Sequence, residues 1–146
     1  MSVPEHLWRC PTAAAIASLA RRFDLPNHRN MQDWEWEVAD PARLDEFIAA
    51  YDDGTLDDDE RFTLMETIIQ SCESAFEESG RTPDNERHWH GTLERLRRNV
   101  DLHIHSLWYW AQPESECEGA EAWIVTPDLR RVLAEALSER PDLARR

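Results

Sequence analysis

The chain has no lysine, only four glycines and only three cysteines in 146 residues. Each shortage excludes something. With so few glycines there is no Gly-rich run to cradle a phosphate, which nearly excludes a nucleotide loop. The cysteines are Cys10, Cys72 and Cys117. An odd count, with Cys72 on a helix seam, argues against a disulfide framework. Cys117 sits between Glu116 and Glu118, whose charges disfavour a thiolate, so it is a poor nucleophile. No serine has the Gly-x-Ser-x-Gly setting of a nucleophile elbow. No apolar run approaches the ~20 residues of a membrane span. The run at 13–20 is short, follows Glu5 and Pro11, and precedes Arg21 and Arg22, so it reads as a helix and not as a signal-peptide core. A cytoplasmic location is expected. All sixteen basic residues are arginine, a bias from which no function follows.

Positive charge is also in short supply. Sixteen arginines face thirty acids, a net of −14. Residues 33–60 hold twelve acids against Arg43 alone, a net of −11 in 28 residues. A nucleic-acid binder needs the opposite sign, and an anionic membrane surface is disfavoured for the same reason. A basic protein partner is compatible. So is a solvated acidic face that only keeps the chain soluble.

With 146 residues the chain is expected to form one domain, large enough to bury about two-thirds of the surface its unfolded form exposes. The stretch 34–76 organises it. Trp34, Trp36 and Val38 alternate with Glu35 and Glu37, the period of a strand with one buried face. Asp40-Pro41 then opens a helix to about 51, with Leu44, Phe47, Ile48 and Tyr51 on one stripe. Gly54 stops it. Asp57 caps the next helix, from 58 to about 78, and Glu60 completes a capping box. Phe62, Met65, Ile69, Cys72 and Phe76 form its seam. Gly54 could also be the sixth position of a calcium loop, but positions one and three would be Ala49 and Tyr51, neither a carboxylate. Two capped helices with a tight turn is the preferred reading.

Pro11-Thr12, Thr82-Pro83 and Thr126-Pro127 each mark a further helix start. Residues 102–110 read as a strand, with Leu102, Ile104, Ser106, Trp108 and Trp110 on one face. Residues 122–125 read as a second, joined to it by a polar loop at 112–120. The tail is expected to fray from about 141. The sum is an α+β domain: a small antiparallel sheet of about three strands covered by about five helices, including a long helical hairpin.

Two constellations could carry chemistry. If the 34–38 and 102–110 strands were neighbours, His103 and His105 could meet Glu35 and Glu37 as a metal site or acid–base cluster. The plainer reading is a His–Glu cross-strand pair on a solvated face. Seven tryptophans suggest a Trp-rich core, with one or two exposed beside the acids as interface anchors. The binding surface is expected to comprise Glu35, Glu37, Asp52, Asp53, Asp57, Asp58 and Asp59, with Trp34 and Tyr109 as anchors. No cofactor or metal is expected, and the oligomeric state is open.

The run from Trp34-Glu35-Trp36-Glu37-Val38-Ala39-Asp40-Pro41 through Asp52-Asp53-Gly54-Thr55-Leu56 and Asp57-Asp58-Asp59-Glu60-Arg61 to Phe62-Thr63-Leu64-Met65-Glu66 is of a kind met in small bacterial proteins. In size, charge and class the chain resembles the immunity proteins of bacterial toxin systems. That resemblance implies a non-enzymatic protein that binds and occludes a basic toxin domain. It carries over no catalytic or binding residue. The alternatives are a small enzyme built on His103, His105, Glu35 and Glu37, and an acidic scaffold with no specific ligand.

Overall fold

A computed structural model describes residues 3–111 and 122–144. Among them there is no strand, and the elements are all helical. The expected α+β class is therefore corrected to all-α. Residues 112–121, which include the expected hairpin loop and Cys117, lie outside the described residues. The chain forms two compact units, Cys10–His88, and Met1–Arg9 with Trp89–Arg146.

The first unit is built on one long helix. α1 spans Ala13–Phe23 and is capped by Thr12, whose hydroxyl accepts from Ala15 N–H at 3.1 Å. Its C-terminal residue Asp24 is left-handed, with φ 54°. α2 is a single turn, Trp34–Glu37. A 3-10 turn, Pro41–Arg43, is capped by Asp40 and leads into α3, Leu44–Asp52. Gly54 takes φ 80°, as a stop there requires.

α4, Asp58–Ser79, opens with the expected capping box: Glu60 N–H donates to Asp57 Oδ1 at 2.8 Å, and Asp57 N–H to Glu60 Oε1 at 3.0 Å. The expected seam residues Phe62, Met65, Ile69, Cys72 and Phe76 are all buried. So are Thr63, Thr67 and Ser71 on another side, because α1, α2, α3 and the Pro41–Arg43 turn all pack on this helix. A helix covered all round is a core element. Gly80 ends it with φ 72°.

α5, Pro83–Arg98, starts on Thr82, whose hydroxyl accepts from Asn85 N–H at 3.1 Å. It runs out of this unit into the other, where α6, Val100–Ala111, packs against α7, Thr126–Glu139. Trp89, Leu96, Ile104, Leu107, Trp110 and Leu129 are almost wholly buried. A 3-10 turn, Pro141–Leu143, follows α7, with Leu143 at 1% exposure.

All three expected strands are overturned, for a common reason. Trp34 and Val38 are two residues apart twice over, but they are also i and i+4, and one helical turn buries both. In 102–110 almost every residue is apolar or aromatic, so a period of two fits as readily as one of 3.6. The buried residues are His103, Ile104, Ser106, Leu107, Trp108, Trp110 and Ala111, which pair at helical spacings of three and four and cover most of the helix circumference. Leu107, which a strand would place on the face opposite Ile104 and Trp108, is wholly buried beside them. At 122–125 the chain is an irregular segment and a turn, with only Val125 deeply buried. Thr126 is not a cap. Its hydroxyl donates to Trp110 O at 2.9 Å and accepts from Trp123 N–H at 3.1 Å, tying the start of α7 to the end of α6.

Candidate interaction surface

The acidic run divides into residues that hold the fold and residues that face water. Trp34 belongs to the first group. It is 3% exposed, and its indole Nε1 donates to Pro26 O at 2.7 Å. Glu35 is buried as well, and its backbone carbonyl accepts the Thr67 hydroxyl at 2.6 Å. Burial raises the Glu35 carboxyl above its ordinary value, and the nearby charges of Glu66, Asp33 and Glu37 add to this. Neither Trp34 nor Glu35 presents a surface to a partner. Glu37 is exposed, but Asp33 N–H donates to its carboxylate at 2.9 Å.

The water-facing acids cluster where α3 turns into α4. Asp52, Asp53, Asp57 and Asp58 are exposed, and Asp59 is half-buried. Asp53 is held by the Thr55 hydroxyl at 2.6 Å, the Thr55 N–H at 2.9 Å and the Arg22 guanidinium. These bonds favour the ionised form and push its carboxyl down to about 2. Asp57 is committed to the capping box. Asp58 lies 3.6 Å from Arg61.

At the end of α5, Arg97 pairs with Glu135 and Arg98 with Glu94, while Arg95 donates to Gly91 O. The arginines that meet the acidic run are Arg22 on Asp53, Arg43 on Glu46, Arg61 on Asp58 and Arg87 with His88 on Asp45. Arg22 reaches Asp53 from α1, whereas Arg61 meets Asp58 three residues before it on α4. These are surface pairs, so each contributes little and leaves the local field negative.

The His–Glu constellation loses its geometric premise. Neither stretch is a strand, and on α6 residues two apart point in different directions. His103 is wholly buried. His105 Nδ1 lies 2.7 Å from Arg9 O and 2.9 Å from Arg9 N, so it donates to the carbonyl or accepts the amide according to its tautomer. Its ring stacks on Trp8 at 6.2 Å. Among the described residues no group of three or more His, Cys, Asp or Glu could hold a metal ion.

Tyr109, the other expected anchor, is 44% exposed on α6. Its ring meets Trp123 at 5.4 Å and Trp110 at 5.7 Å. Trp8 is 59% exposed. No signal in the sequence distinguished it from the buried tryptophans.

No protein-family model matches the chain, and neither a curated protein nor a solved structure matches it.

Proposed function

We propose that this chain is a non-enzymatic acidic binding protein that neutralises a basic protein partner, in the manner of an immunity protein occluding a bacterial toxin domain. The observation that carries the reading is the division of charge. The unit Cys10–His88 holds nineteen acids and seven arginines, a net of −12, while the remaining residues hold eleven acids and nine arginines, a net of −2. The negative field is thus concentrated on one unit and peaks at residues 52–60, which contain six acids and no base. Such a field steers a basic partner and raises its association rate by about 10–10³-fold at low salt. Among the described residues no helix is long and apolar enough to cross a membrane. On this reading the protein works in the cytoplasm.

The test uses Asp52→Asn, Asp58→Asn and Asp59→Asn together, which spares the Asp57 cap and the Asp53 turn. A basic toxin domain captured by the wild-type chain should associate more slowly with this variant, with a flatter salt dependence and a smaller change in dissociation. Equal association rates at low and high salt would reduce the acidic run to a solubilising face.

A further inference from the structure

Among the described residues the large hydrophobic side chains left exposed are Trp8 at 59%, Tyr109 at 44% and Ile124 at 39%, and all three belong to the unit of Met1–Arg9 with Trp89–Arg146. Trp8 stacks on His105 with the rings 15° from parallel. His105 and Tyr109 are four apart on α6 and therefore adjacent on its surface. Tyr109 meets Trp123, and Ile124 follows in the chain. The exposed parts of Trp8, Tyr109 and Ile124 together come to on the order of 300 Å². Apolar patches of that size on a single chain are often functional.

The charge around this row decides what can cover it. The described residues of its unit hold seven acids and seven arginines, and the whole unit has a net of −2. The unit Cys10–His88 has a net of −12. Two copies of a chain with net −14 repel each other, and the repulsion is least where the local charge is balanced. The row also carries a cation of its own. Arg9 follows Trp8, and its backbone N–H and carbonyl lie 2.9 and 2.7 Å from His105 Nδ1, which fixes the residue beside the rings. A surface that bears both a guanidinium and exposed rings is complementary to itself.

We infer that the row Trp8–His105–Tyr109–Trp123 is the surface on which a second copy of this chain docks about a two-fold axis, with Arg9 of each copy set against the rings of the other. The rings are in place beforehand. Trp8 Nε1 donates to Val3 O at 3.0 Å, Trp123 packs on Trp110 at 4.5 Å, and Trp110 is 1% exposed. Little conformational freedom is lost when such side chains are covered. The patch is smaller than the ~800 Å² per partner of a standard interface, so the dimer is weak and forms as the protein is concentrated. This contact uses only the charge-balanced unit and does not depend on the basic-partner reading.

The test is sedimentation of the full chain over a range of concentrations, with the indole N–H signals of Trp8 and Trp123 followed on dilution of the ¹⁵N-labelled protein. A dimer should grow with concentration, and both indoles should shift along the same isotherm. Added salt should leave the dimer unchanged or tighten it, because it screens the repulsion between copies. Binding to a basic partner responds to salt in the opposite sense. Trp8→Ala and Tyr109→Ala should each weaken the dimer about ten-fold, as truncating a central aromatic anchor does. Arg9→Gln should weaken it about two- to five-fold, the range of an exposed cation–π contact. A chain that stays monomeric up to about 1 mM would overturn the inference. So would a dimer that dissociates as salt rises, or one that Trp8→Ala and Tyr109→Ala leave untouched. The dilution shifts need no variant, so they decide the matter even where a substitution disturbs folding. Indoles that stay still on dilution and move only when a basic toxin domain binds would give the row to that partner and overturn the inference as well.

Discussion

The Thr67 hydroxyl donates to the backbone carbonyl of Glu35 at 2.6 Å, and through this bond α2 is fastened to the middle of α4. Nearby, Trp36 Nε1 donates to Glu66 Oε2 at 3.1 Å, and Asp40 N–H donates to Ser71 Oγ at 3.0 Å. Polar side chains on α4 thus bind a segment that has no regular structure long enough to stand alone.

Glu35 is the weak point of that joint. Its carboxyl is raised by burial, so its contribution is full below the unfolded value near 4.5 and is lost as pH rises through the folded one. Glu35→Gln should therefore raise the denaturation midpoint at pH 7, with the gain shrinking toward pH 4. Thermal melts across that range check the sign. A variant less stable than wild type at pH 7 would contradict it.

Asp53 behaves in the opposite sense. Its carboxyl is held down at about 2, so its bonds to Arg22 and Thr55 persist through mild acid and fail only as pH falls through that value. A carboxyl ¹³C titration should find Asp53 still ionised at pH 3.5.

Asp57→Ala should cost about 0.5–2 kcal/mol by removing the cap of α4, while Asp57→Asn should cost less, since it still accepts from Glu60 N–H. Urea denaturation of the pair separates capping from charge.

Ile69 is 1% exposed near the middle of α4. Ile69→Ala should lose about 2–5 kcal/mol in chemical denaturation. A loss well under 1 kcal/mol would mean that the helix is turned differently.

Two buried tryptophans offer a matched comparison. Trp89 Nε1 donates to Asp128 Oδ2 at 2.8 Å, whereas Trp108 Nε1 is buried with no hydrogen-bond partner among the described residues. An unsatisfied donor costs about 1–3 kcal/mol, so Trp108→Phe removes a liability and Trp89→Phe breaks a bond. The first variant should be clearly the less destabilised of the two.

How much of this was legible follows from where the information lies. The starts on Thr12, Asp40, Asp57 and Thr82 are set by a side chain and a backbone amide two or three residues away, so they can be read locally. The stripe of α4 was readable because its polar and apolar residues differ enough to show a period. In 102–110 they do not differ, and in 34–38 the run is too short to tell two periods apart. There the answer comes from packing: Trp34 and Trp36 are placed by Pro26 and Glu66, partners 8 and 30 residues away. The acidic surface was half legible. Asp52 and Asp58 face water as a charged residue should, but burial of Trp34 and Glu35 depends on α4 arriving beside them.

The bond between Arg9 and His105 spans 96 residues of sequence. A chain emerging from the ribosome amino end first presents the 3–9 segment long before α6 exists to receive it. The unit Cys10–His88 can be completed in the interval, being continuous in sequence. The 3–9 segment must wait, with the Trp8 ring uncovered, until synthesis has passed His105. Closing so long a loop carries an entropic cost that grows only slowly with its length. The order of events therefore makes docking of Trp8 a late step in folding.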